Sequence, residues 1–197
     1  VTQHADADTR RAQVASALVT VVAERGLART TLADVARTAE VSVGLVQRYF
    51  RTKDELLKFG IEHVYRRTEE RVAAIPVEPP IRDLVVRLME TSLPLTPGRH
   101  AEARVWLGFV QASLTDPEMA AVHRAATGRL IDGVRRALEG ARHAGEITAG
   151  VDAAAEAAAL VAFADGLCLH HAATGDGFDA SRIAAALRTY VDRLFAP

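Results

Sequence analysis

The chain has 197 residues, with 24 Lys+Arg against 25 Asp+Glu and a formal net charge of −1, long enough for one or two domains around a sizeable core. With 49% apolar, 25% charged and 5% aromatic residues and a single cysteine, Cys168, the composition excludes a disordered chain, an internal disulfide framework and a multi-cysteine zinc site. No stretch approaches the about 20 apolar residues that a membrane-spanning helix needs, and Val1–Arg11 lacks the apolar segment of a signal peptide; the expectation is a cytoplasmic protein with no membrane partner.

Helical periodicity runs almost throughout. Thirty-eight alanines, and 22 Arg among the 24 basic residues, favour helix because these side chains lose little rotamer freedom there. From about Thr9 to Arg25, Val14, Leu18, Val21 and Val22 share a face, and Gly26 supplies a stop. Thr30 or Thr31 caps a short second helix whose buried stripe is Leu32, Val35, Ala36 and Ala39, with Asp34 in its first turn. After a turn at Glu40–Val41, Ser42 caps a third helix to about Tyr49. Thr52 caps a longer fourth helix from Lys53 that stops before Pro76; Pro79 and Pro80 follow. The expected fifth helix spans Ile81 to about Ser92, the sixth Arg99–Leu114, and the seventh begins after an Asp116 cap with Pro117 in first position and runs to about Ala144. Asp152 to about Thr174 and a last helix from Asp179 or Ser181 to Phe195 complete nine helices. The expected fold is all-α.

Charge is divided unevenly: residues 1–60 hold nine basic and seven acidic side chains, and the remainder holds 15 and 18. The positive excess accompanies the shortest helices. Thr31–Ala39, a three-residue turn and Val43–Tyr49 have the lengths of a helix-turn-helix. In its second helix Val46 and Phe50 point to the core, while Val43, Gln47 and Arg51, with Gly44 and Arg48 beside them, form a face of small, amide and basic groups suited to a major groove. Gly44 permits close backbone approach, Gln47 matches an adenine edge and Arg48 a guanine edge. Tyr49, Lys53, Thr31 and Ser42, with the helix N-terminal N–H groups, suit phosphate.

The run Gly26–Leu57, GLARTTLADVARTAEVSVGLVQRYFRTKDELL, resembles the DNA-binding region of the TetR family of bacterial transcriptional regulators. That resemblance implies phosphate contacts from Thr31 and Tyr49, anchoring of the fourth helix on the DNA backbone by Lys53, and base contacts from Val43, Gly44, Gln47 and Arg48. It also implies a homodimer on a near-palindromic operator and release of double-stranded DNA by a small-molecule effector. Ala101–Val122, Ala164–Leu169 and Tyr190–Leu194 resemble the C-terminal domain of BetI-like members. The expected division is a DNA-binding domain over residues 1–58 and an effector-binding, dimerising domain over residues 59–197, with the fourth helix shared so that a ligand tilts it.

Effector candidates are Met89, Leu93, Trp106, Phe109, Val110, Phe163 and His170, since aromatic faces attract a quaternary ammonium ion; Glu102 and Asp165 are possible polar partners. The alternative for Trp106 and Phe109 is plain core packing. Leu160, Val161, Ala164, Leu167 and Cys168, with Ile183, Leu187, Tyr190, Val191 and Leu194, are the expected dimer interface by family resemblance; in a monomer they would finish the core. Neither a metal nor another cofactor is expected: His170 and His171 are adjacent and no two histidines stand four apart. No phosphate loop, nucleophile elbow or HExxH pair points to an enzyme. Activator action, or a helical small-molecule carrier or enzyme with a relict head, are the alternatives to a ligand-released repressor.

Overall fold

The computed structural model describes residues 2–196, without the side chains of residues 2–8 and 176. Its order is α1 (Thr2–Arg25), a 3-10 turn (Leu27–Arg29), α2 (Leu32–Thr38), α3 (Val43–Tyr49), α4 (Lys53–Ala73), α5 (Ile81–Glu90), α6 (Pro97–Ser113), α7 (Pro117–His143), α8 (Ala153–Thr174), a second 3-10 turn (Gly175–Phe178) and α9 (Ala180–Leu194). Nine α-helices and no strand occur among the described residues. Helix α1 starts earlier than its apolar pattern, and both 3-10 turns fall where the sequence indicates connections only.

The chain forms two compact units: residues 1–67 with 100–120, and residues 68–99 with 121–197. The head expected over residues 1–58 lies inside the first unit, which also takes the start of α4 and most of α6. Helices α4, α6 and α7 each pass from one unit into the other along the chain.

In the first unit Val14, Leu18, Val21 and Val22 of α1 are buried with Val35 and Ala36 of α2, Val46, Phe50, Leu56, Leu57 and Ile61. Each such aliphatic side chain contributes about 1.5–3 kcal/mol by leaving water. A Cβ on Gly60 would collide with Leu18, so α1 and α4 pack as closely as the missing side chain allows. The Phe50 and Phe59 rings lie 5.1 Å apart. Gly26, at φ 77, turns the chain out of α1 into a conformation open to glycine.

In the second unit α5 packs on α9. Leu84, Val85, Val86 and Met89 are buried on the α5 side, and Ile183, Leu187 and Val191 on the α9 side. Arg82 Nε donates to Asp192 at 2.8 Å, and Arg188 Nη2 lies 3.3 Å from Glu90. The first amides of α5 follow a proline and lack a local cap; Glu146 Oε2 accepts from Ile81 N at 2.7 Å and Arg82 N at 3.3 Å, a carboxylate at a helix N-terminus. Asp116, Asp152 and Asp179 cap α7, α8 and α9, as their positions predict. The Asp179 carboxyl is held low chiefly by its bond from the Arg182 amide.

Helix α8 is long and apolar enough by length and composition to cross a membrane, a property that core helices of globular units share. Alanine accounts for this, because its small side chain raises hydropathy without an unbroken run of large apolar residues.

Candidate nucleic-acid interface

The turn between α2 and α3 is a Schellman motif: Val41 N donates to Ala36 O at 3.0 Å and Glu40 N to Arg37 O at 3.2 Å. Its left-handed position belongs to Glu40, at φ 54, where glycine is the relaxed choice. Ser42 then caps α3 by accepting from Leu45 N at 3.1 Å, which leaves its hydroxyl proton to donate outward.

Helix α3 is anchored by Val46 and by Phe50 just after it, both buried. Ser42, Val43, Gly44, Gln47 and Arg48 are all exposed, as the faces of the helix predict. Val43 is a large apolar side chain 40% exposed, free for a thymine methyl. A Cβ on Gly44 would meet nothing within 4 Å. The fold therefore gives no steric reason for glycine at this first-turn position, and the open space leaves room for close approach of another molecule. Gln47 and Arg48 spend their donors on no partner among the described residues.

Three of the phosphate candidates are engaged in ways the sequence does not reveal. Thr31 caps α2, and its hydroxyl donates to Asp34 Oδ2 at 2.7 Å while accepting from Asp34 N at 3.2 Å. Its own amide also donates to Asp34, at 3.3 Å. Both Thr31 donors are thus engaged by Asp34. Arg25 and Arg37 complete the cluster, donating to Asp34 Oδ1 at 2.9 and 2.6 Å. Bonds from Thr31, then Arg37, bring the Asp34 carboxyl down to about 2, so it stays charged at any physiological pH. Lys53 Nζ donates to Leu27 O at 2.5 Å and Ala28 O at 3.4 Å, leaving one of its three protons. The Tyr49 hydroxyl has no partner among the described residues. Its ring lies 5.4 Å from the Arg11 guanidinium carbon, a cation–π contact that sequence reasoning missed, because nothing local links residues 38 apart.

A family model described as "Bacterial regulatory proteins, tetR family" matches residues 14–58, and one described as "BetI-type transcriptional repressor, C-terminal" matches residues 80–196. The chain belongs to the TetR family of transcriptional regulators. It is 32% identical over 194 residues to the HTH-type transcriptional regulator BetI of Paraburkholderia phymatum, covering 96% of this chain and 94% of that one. The BetI of Burkholderia mallei is likewise 32% identical, over 198 residues, covering 96% and 95%. A transcriptional regulator from Rhodococcus sp. has the same fold, with TM-score 0.83, 28% identity and coverage of 93% and 95%. So does a regulator from Saccharomonospora viridis solved in complex with choline, at TM-score 0.83, 22% identity and coverage of 94% and 96%. As a TetR-family member this chain is a ligand-responsive DNA-binding transcriptional regulator, not an enzyme.

The effector candidates of this TetR-family chain divide between the two units. Trp106, Phe109 and Val110 belong to the first, with Phe109 fully buried; Met89, Leu93, Phe163 and His170 belong to the second, with Met89 and Leu93 fully buried. Phe163 stacks on Tyr190 of α9 at 4.9 Å, and His170 lies 6.0 Å from the Phe178 ring. Glu102 is buried in α6 with Arg67 Nε 3.4 Å away. Asp165 is different. It makes no hydrogen bond or ion pair among the described residues, and burial pushes its carboxyl up to about 6. Burial, reinforced by Asp165, pushes the Cys168 thiol up to about 12, so this cysteine is a packing residue and not a thiolate.

Leu160, Val161, Ala164, Leu167, Cys168, Ile183, Leu187 and Val191 are all buried inside one chain, and Tyr190 and Leu194 are half-buried. Large apolar side chains at helical spacing fill the core of their own unit first. The face of α8 opposite them carries Ala155, Ala159, Ala162, Gly166 and Leu169, spaced 4-3-4-3; all are exposed except half-buried Gly166.

Proposed function

We propose that this regulator is a repressor that grips a near-palindromic operator as a homodimer in the cytoplasm, with residues 1–58 as reading head, and lets go when residues 59–197 bind a small organic cation. The observation that carries the DNA reading is the exposed α3 face, where a glycine with no fold-imposed reason sits beside two side chains with unspent hydrogen-bond donors. Val43, Gly44, Gln47 and Arg48 read bases; Ser42, Tyr49 and Lys53 hold phosphate. Thr31, whose donors are taken by Asp34, serves the interface by fixing α2.

The effector class rests on Asp165. An unpaired, largely buried carboxylate is unfavourable, and a cation beside it would restore the charge. The choline bound by the Saccharomonospora regulator of the same fold supports the same class. Choline has no titrating group near neutrality, so its binding should strengthen as pH rises through about 6, where Asp165 ionises. Dimer pairing uses the alanine stripe of α8, whose small residues let two helices approach closely.

The test uses a duplex enriched by the wild-type protein from a randomised pool. Arg48→Ala should bind it about 1–3 kcal/mol more weakly and tolerate changes at one base position. Choline should release the wild-type complex and leave Asp165→Asn on its DNA. An Asp165→Asn protein released at the wild-type choline concentration would refute the cation assignment.

A further inference from the structure

The turn between α1 and α2 is fixed from four directions within the first unit. Gly26 reverses the chain at φ 77. The Thr30 hydroxyl donates to Gly26 O at 2.9 Å. Arg104 of α6 donates through Nη1 to Ala23 O at 2.7 Å. Gly108, one turn further along α6, lies against Leu27: a Cβ there would stand 2.6 Å from Leu27 Cδ2, 3.3 Å from its Cβ and 3.5 Å from its Cγ. A rotamer change moves Cδ2 but not Cβ, so a side chain at position 108 requires Leu27 to give by a few tenths of an ångström. The Leu27 backbone carries the carbonyl that holds Lys53 Nζ at 2.5 Å. A mid-helix glycine costs about 0.5–1 kcal/mol relative to alanine, and here the space it leaves is occupied by Leu27.

We propose that Gly108 and Leu27 are positioning residues for Lys53: α6, through the close Gly108–Leu27 contact, sets the Leu27 carbonyl and so the direction in which the Lys53 ammonium presents its remaining proton to DNA phosphate. This deepens, and rests on, the reading of Lys53 as a phosphate contact. Two carbonyls orient an otherwise flexible side chain before DNA arrives, which lowers the ordering cost of the contact. Because the linkage runs through α6 rather than along α4, a displacement of α6 reaches Lys53 without any tilt of the fourth helix.

The experiment measures affinity and its salt dependence on the duplex selected by the wild-type protein. Gly108→Ala should lower affinity by about 5- to 150-fold, the usual range for coupling between sites, and reduce the salt slope by about one, as loss of a phosphate contact does. Lys53→Gln should show the same two changes, and Gly108→Ala should add nothing further in the Lys53→Gln background. Leu27→Ala, which removes the Cγ and Cδ2 that the new methyl group at position 108 would meet and keeps only Cβ, should recover part of the Gly108→Ala loss. Wild-type affinity and slope in Gly108→Ala, or losses that add to those of Lys53→Gln, overturn the proposal. Should Gly108→Ala fail to fold, Leu27→Ala combined with Lys53→Gln decides it, since additive losses sever Leu27 from Lys53. A wild-type protein that enriches no duplex removes the DNA reading itself, and the proposal with it, and is distinguishable because it fails before any variant is compared.

Discussion

At the scale of single residues, the least comfortable positions are informative. Glu40 occupies a left-handed turn position with φ 54 while making the bonds of a Schellman motif. Relief of its Cβ by Glu40→Gly should raise stability by about 1 kcal/mol, read as a higher denaturant midpoint; a lower midpoint would show that the glutamate side chain stabilises the turn. Asp165 has the opposite character, a carboxyl whose environment disfavours its charge. Its folded value of about 6 exceeds the ordinary 3.8, so the folded state binds the extra proton. Its penalty is absent below about pH 4, grows between about pH 4 and 6, and is complete above that range. Asp165→Asn should therefore stabilise the ligand-free protein by about 1–2 kcal/mol at pH 7 and flatten that part of the pH profile, measured by chemical denaturation across pH. Equal pH profiles for the two proteins would count against this assignment.

At the scale of elements, α8 has two faces of different character. Residues 157, 160, 161, 164, 167 and 168 fall on one side at 100° per residue and are buried. Ala155, Ala159, Ala162, Gly166 and Leu169 fall on the other, at the spacing of a helix–helix seam. Placing an arginine in that seam by Ala162→Arg should leave the fold intact, since the position is exposed, yet give a monomeric mass in light scattering and a weakened operator complex. An Ala162→Arg protein that remains a dimer would move the interface elsewhere. Helix α5 shows a different dependence: its first amides bond to Glu146, 64 and 65 residues away, so its start is secured by tertiary structure.

At the scale of the whole molecule, the net charge of −1 conceals a basic head balanced by an acidic remainder. Much of the head's positive charge is also committed internally: Arg25 and Arg37 to Asp34, Lys58 to Glu118, and Lys53 to two carbonyls. Weak non-specific attraction to DNA is the expected consequence, with affinity resting, in the proposed function, on the fit of α3 and on pairing of two copies. Glu118 bonding raises the Lys58 ammonium pKa, so that charge persists across the physiological pH range.

Local chemistry made most of the helices legible: the cap at Asp116, the break at Pro76, and apolar stripes at Val14–Val22 and Ile183–Val191 depend only on neighbours within a turn or two. The exposed α3 face was legible for the same reason, because a seven-residue helix with two buried anchors has little freedom in what it shows. The sequence by itself thus determined an all-α regulator of the TetR family and the exposed helix proposed to read DNA. Only the tertiary structure decided which polar groups are spent and which apolar faces are covered. Thr31 turned inward to Asp34, Lys53 gripped by Leu27, α6 joined to the head at Gly108, and the large α8 and α9 residues given to the core all depend on partners distant in sequence. Hydrogen bonding and burial are settled by proximity in space, and helical periodicity carries no record of that.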